Sequence, residues 1–315
     1  MAQDGRVRFR VVTAEDGLTL RQLLCRRFSD LRPQTSAELI KAGGAYIDNV
    51  RIRLPSVRVM AGERMTVYRG AAEVAVLDPA DLQIVHRDPE FVIVDKPAGI
   101  PPNSTRASAR GTVAQALVYR LCAEGMLRPY VGPVRPIPSA ASGLVLYTIR
   151  DQDAVSLQKL YLRAEVTTVD RVLVKGDAPA ILRCDQPLLL TRSGRLEVCS
   201  AGALGASPAS TELRRLDTKE GDGGRVAEGE PRVVSLLEAR ARGAFGAQAA
   251  VHSAALGFPV ADPSAALGGA NRGEPGVGLL LHRSRLELVH PHSGERLCFD
   301  SPMPAWGRLP QGSGA

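Results

Sequence analysis

The sequence predicts an α+β chain in two parts: a small N-terminal helix–hairpin module over residues 1–70 and a larger, strand-bearing body over residues 71–315. Three observations predict it. Apolar residues recur at helical spacing near the start and in short strand-like runs further on. A two-residue turn signal, Asp48-Asn49, separates two of those runs. The charge is also unevenly divided: residues 1–70 carry 13 Arg plus Lys against 7 Asp plus Glu, net +6, and residues 71–315 carry 27 against 26. Phosphate neutralisation depends on local charge, so the first segment reads either as a polyanion-binding module or as a solvated basic face.

In the module, Leu20, Leu23, Leu24 and Phe28 fall on one helical face with Arg21, Arg26 and Arg27 between them. Pro33 with Thr35 or Ser36 opens a second short helix through Leu39 and Ile40, and Gly43-Gly44 ends it. Ala45-Tyr46-Ile47 and Val50-Arg51-Ile52 flank the turn as a hairpin, and Arg64 to Tyr68 alternates as a closing strand. The phrases GLTLRQLLCRRF, LIKAGGAYIDN and RVMAGERMTVY, in this order, resemble the S-four RNA-binding domain. The resemblance implies that a basic helical face binds structured RNA, with Arg26, Arg27, Arg32 and Lys41 as the candidate contacts.

In the body, Phe91-Val92-Ile93-Val94 reads as a buried strand ending in the turn Lys96-Pro97-Ala98-Gly99. Together with the helix-like Gly111 to Leu121, Ser142-Gly143-Leu144-Val145-Leu146, the turn-like His252 to Pro259 and the final stretch LLLHRSRLELVHPHSGERLCFDSPMPAW, it resembles the RluA-type pseudouridine synthase family. That resemblance implies a mainly antiparallel split sheet with flanking helices and no cofactor. It also implies a structured RNA partner, ribosomal RNA first among the candidates, whose target uridine is flipped out of the stack and isomerised. The family chemistry uses an aspartate, a tyrosine beside the base and an arginine that pairs with the aspartate.

The family's aspartate stands five residues before the glycine matching Gly143, and this chain has Pro138 there. The tyrosine position, in Thr167 to Val174, is Asp170, and the arginine position, in Phe245 to Ala250, is Ala250; Gln248 alone keeps its motif identity. Proline has no ionisable group, and no acidic residue lies between Val131 and Arg150. A lost carboxylate would strand a buried arginine, so losing both together fits relaxed catalytic constraint. The expectation is an RNA-binding member of the fold that lacks the usual chemistry. An isomerase using non-standard residues and a protein-interaction adaptor are the alternatives.

Asp170 followed by Arg171 reads as a strand-end charge, solvated or structurally paired, or else as a relocated carboxylate. His282, His290 and His292 read as structural, because no third ligand stands at metal spacing; no metal is expected. No P-loop, Rossmann fingerprint or hydrolase elbow surrounds Gly99, Gly143 or Ser142. Pro101 to Arg110, Cys199 to Ser210, Thr218 to Pro231 and Asp262 to Gly278 read as irregular. The five scattered cysteines read as structural thiols, and no apolar run approaches the roughly 18 residues of a membrane span. A cytoplasmic protein is expected.

Overall fold

Arginine alternates with apolar residues in Arg6-Val7-Arg8-Phe9-Arg10, and this period of two makes a strand with Val7 and Phe9 turned inward, β1 (Arg6–Arg10). The computed structural model describes residues 6–72, 77–163, 165–191, 194–220, 233–243, 245–261 and 279–308. The chain divides into two units, Met1–Asp78 with Asn103–Ala116, and Pro79–Pro102 with Leu117–Ala315. This differs from a single cut after residue 70 in that residues 103–116 group with the N-terminal segment.

In the first unit, α1 (Leu20–Arg27) starts at a capping box. The Thr19 hydroxyl accepts from the Gln22 amide, and the Gln22 side-chain carbonyl accepts from the Thr19 amide at 2.9 Å. α2 (Pro33–Lys41) has proline at its first position, where the missing N–H costs nothing. Gly43, at φ 79°, lets the chain leave the helix into β2 (Ala45–Ile47). Asp48 and Asn49 both take positive φ, 46° and 70°, as a tight hairpin turn requires, and β3 (Val50–Ile52) follows. With β4 (Arg64–Tyr68) these strands form an antiparallel sheet in the order β1-β4-β2-β3. Leu20, Leu23, Leu24, Leu39 and Ile40 of the helices share one buried core with Met65 and Val67 of β4. Segment 103–116 joins this unit through the Ala109 amide on the Ala42 carbonyl, 2.7 Å, and the Arg110–Glu38 ion pair, 2.9 Å.

The second unit is built on a ten-stranded sheet. Its elements are β5 (Gln83–Arg87), β6 (Phe91–Lys96), α3 (Val113–Ala123), whose first residues belong to the other unit, β7 (Gly132–Val134) and β8 (Ser142–Thr148). There follow α4 (Ala154–Leu162), β9 (Val166–Lys175), β10 (Ile181–Cys184) and a separate hairpin of β11 (Leu188–Leu190) and β12 (Leu196–Val198). Next come β13 (Ser210–Glu220), β14 (Val233–Arg242), α5 (Gln248–Ala255), β15 (Leu281–Val289) and β16 (Arg296–Asp300). The sheet order is β10-β13-β14-β9-β15-β8-β6-β5, with β16 beside β15 and β7 beside β8.

Among the described residues every pairing in this sheet is antiparallel except β8 with β15, where His282 faces Ser142 and Arg283 faces Gly143. This short parallel seam divides the sheet into halves, and the fold is the mainly antiparallel split sheet that the sequence predicts. His252 to Ala255, expected as a turn, instead complete α5, and the turn begins at Leu256 with Gly257 at φ 91°. Thr218 to Glu220 continue β13 rather than an irregular stretch; residues 221–231 and 262–278 lie outside the described residues.

Candidate active site at the parallel seam

Gly143 sits at the seam because nothing larger fits. A Cβ there would lie 2.2 Å from the Arg283 carbonyl oxygen, and its φ is 104°. Next to it, His282 is buried between two hydroxyls, Ser142 Oγ at 2.9 Å from Nδ1 and Ser301 Oγ at 3.2 Å from Nε2. Burial pushes its imidazole down to about 4, so it is neutral at pH 7. The sequence expectation of a structural histidine holds for His282. His290 and His292 lie in the β15–β16 turn with Asp88 and Glu90 nearby, contacts that sequence spacing did not reveal. Among the described residues no group of His, Cys, Asp or Glu is arranged to hold a metal ion.

Pro138 lies in the loop between β7 and β8, half-buried, its carbonyl accepting from the Ala141 amide at 3.1 Å. This loop is fixed from below by Lys96. The ammonium, fully buried, donates to the carbonyls of Pro97, Ile100 and Ser139 at 2.7, 2.9 and 2.9 Å. Burial lowers its pKa to about 7, and the neighbouring Asp95 opposes the shift. The sequence marked Lys96 only as part of a turn.

Asp170 is structurally paired, as one alternative of the sequence reading had it, and departs from that reading in its place and partner. It stands in the middle of β9 rather than at a strand end, and it is wholly buried rather than solvated. Its partner is not the adjacent Arg171 but Arg283, directly opposite on β15 and also buried, with Nε 3.0 Å from Oδ1. Burial raises the Asp170 carboxyl above its ordinary value although Arg283 pulls it back; burial also works against the Arg283 charge, but Asp170 and Tyr161 together outweigh it and keep the guanidinium protonated. The seam thus contains a carboxylate and an arginine after all, from other positions. Arg283 lay in the segment LLLHRSRLELVHPHSG, but nothing local marked it as buried.

These parts meet at Gly246. Its carbonyl accepts from Arg283 Nη2 at 3.2 Å, and a Cβ on it would lie 1.9 Å from the Pro136 carbonyl oxygen. The Pro138 loop, the loop before α5 and the Asp170–Arg283 pair therefore share one point. Ala250 lies in the first turn of α5, half-buried. Gln248 is structural: its amide donates to the Ser210 and Arg242 carbonyls and to Thr211 Oγ1, bridging β13 and β14. An open groove of about 570 Å³, lined by Thr167, Arg240, Arg242, Glu287 and Arg296, lies elsewhere on the sheet and includes none of Pro138, Asp170 or Ala250.

In the first unit, Arg27 is committed to Glu15, at 2.5 and 2.7 Å, and stacks over Phe9. Arg26 donates to the Ala14 carbonyl, and Lys41 pairs with Glu38 at 3.2 Å. Arg32 is exposed at the start of α2 without capping it. Arg6 and Arg8, exposed on β1, were not singled out from the sequence, although their alternation with Val7 and Phe9 was the available signal.

A split sheet with two loops and a buried ion pair gathered at its parallel seam defines a protein of the pseudouridylate synthase fold class. Human RNA pseudouridylate synthase domain containing 1 superposes with a TM-score of 0.51 at 20% identity, covering 73% of this chain and 87% of that one. An RNA pseudouridine synthase of Chloroflexus aurantiacus is 32% identical over 216 residues, 67% of this chain and 62% of the relative. Ribosomal large subunit pseudouridine synthase D of Vibrio vulnificus is 24% identical over 318 residues, 96% of this chain and 93% of the relative. An RNA pseudouridine synthase of Aquifex aeolicus is matched over only 54% of its length. No protein-family model matches. The chain belongs to the RNA pseudouridine synthase family.

Proposed function

We propose that this member binds structured RNA, ribosomal RNA in the first instance, without isomerising uridine. The observation that carries the reading is the state of the carboxylates at the seam. Pro138 occupies the position where the family resemblance expects the aspartate, and Asp170, the carboxylate present, is buried and engaged by Arg283. A nucleophile or base on a sugar must reach it, and Asp170, wholly buried inside the sheet, presents no oxygen to a substrate. RNA affinity is supported by the net +6 of residues 1–70 and by the S-four resemblance, whose four candidates are all exposed, Arg26, Arg27 and Lys41 being also engaged within the unit. The choice of ribosomal RNA follows the names of relatives such as the Vibrio vulnificus protein.

Two measurements test this. Binding of the full chain to a ribosomal RNA fragment should weaken steeply as salt rises, and the Arg32→Glu/Lys41→Glu variant should have a shallower salt slope. Pseudouridine mapped in RNA from cells with and without the gene should be identical. A site that vanishes on deletion and returns with the purified protein would establish the second reading, an active isomerase, which the synthase names of the relatives favour. In that event Asp170→Asn should abolish the activity if Asp170 supplies the carboxylate.

A further inference from the structure

At the rim of the seam, Arg135 takes a left-handed backbone conformation, φ 50°, which side chains other than Asn and Asp seldom adopt. Such strain persists only where the surroundings impose it, and it collects at binding sites. Its guanidinium lies over the ring of Phe245, 5.4 Å from the centroid, and both residues are half-buried. Among the described residues Arg135 has no ion-pair partner.

The base of this stack is rigid. Gly246, next to Phe245, lies so close to Pro136 and Ile137 that a Cβ would fall 1.9 Å from the Pro136 oxygen, and its carbonyl is held by Arg283. Two loops distant in sequence are thereby locked together, one presenting a cation and the other an aromatic face. An ordinary surface arginine–phenylalanine contact needs neither the strained backbone nor the missing Cβ beside it. A planar cation and a ring, partly open to solvent on a fixed base, suit an unpaired nucleobase, which has a π face whatever its identity, and the phosphate attached to it.

We propose that Arg135 and Phe245 form a stacking ledge for one unpaired nucleotide of RNA, outside the seam occupied by Asp170 and Arg283. The inference rests on the RNA-binding reading above, and it adds where and how a base is held.

The test uses the full chain and a single-stranded RNA octamer with one 2-aminopurine, alone and annealed to its complement. The single strand should bind with quenched 2-aminopurine fluorescence, and the duplex should not be quenched. Phe245→Leu should weaken single-strand binding between about 5-fold and 150-fold and abolish the quench at an unchanged melting temperature, whereas Phe245→Trp should retain both. Arg135→Gly relieves the backbone strain, so it should weaken binding while melting no lower than the parent. Salt-sensitive binding without quenching, or quenching that survives Phe245→Leu, would overturn the ledge and leave the RNA reading standing. No salt-sensitive binding to either probe would overturn both.

Discussion

Two arginine–carboxylate pairs, Glu15–Arg27 in the first unit and Asp170–Arg283 in the second, use the same chemical groups in different surroundings. Arg27 keeps a third of its side chain in water, whereas both side chains of the seam pair are within 3% of full burial. Desolvating an ion costs several kcal/mol, which an exposed guanidinium largely avoids. The first pair is therefore a local latch whose removal the unit tolerates. The second ties each partner to the other, because removing either leaves an uncompensated charge inside the sheet.

The largest effect should come from breaking the seam pair one side at a time. Arg283→Met should destabilise the protein by about 3–5 kcal/mol, whereas Asp170→Leu/Arg283→Met should be neutral or more stable than the parent. Urea unfolding of both variants measures this, and a mild single-variant cost would erase the contrast between the pairs.

Acid sharpens the same contrast. His282, with a folded pKa of about 4 against about 6.5 unfolded, contributes stability that is full above pH 6.5 and is lost as pH falls towards 4, about 3 kcal/mol in all. Buried His252, also lowered by burial, acts in the same sense. Residues 1–72 contain no histidine, and Arg27 holds the Glu15 carboxyl below its ordinary 4.5, so that pair weakens only at lower pH. Hydrogen exchange from pH 7 to pH 4.5 should loosen the seam first, and His282→Gln should remove part of the pH slope.

Gly246→Ala should cost about 1–3 kcal/mol by overpacking against Pro136, read as a lower urea midpoint. The smallest effect belongs to the pair whose guanidinium reaches water: Glu15→Gln, which removes the buried charge together with the pairing, should change stability by about 1 kcal/mol or less in the same assay.

Legibility in the sequence followed the distance over which each feature is determined. The hairpin around Asp48-Asn49 and the strand Phe91 to Val94 could be read because turn chemistry and apolar runs are local signals. Motif order likewise revealed the split sheet. The burial of Asp170 could not be read, because its partner is 113 residues away and the nearer Arg171 was the obvious choice. Lys96 escaped for a related reason: two of its three carbonyl acceptors lie in the next turn, but the one that anchors the Pro138 loop is 43 residues on. Phe245 and Arg135 carry no local signal of their contact, and only the close approach at Gly246 brings them together.

The parallel seam also bears on how the protein is made. Ser142 and His282, joined across it, are 140 residues apart in sequence, so closing it is among the most entropically demanding contacts of the chain. During synthesis β7 covers that side of β8 only at Leu146–Thr148, so Ser142 and Gly143 wait for β15, and a chain stopped short of Leu281 would leave them and one edge of β9 unpaired, open to pairing with other chains. The last strands are thus the fastener for the whole sheet, and C-terminal truncation is the lesion to which this fold is most prone to respond by aggregating.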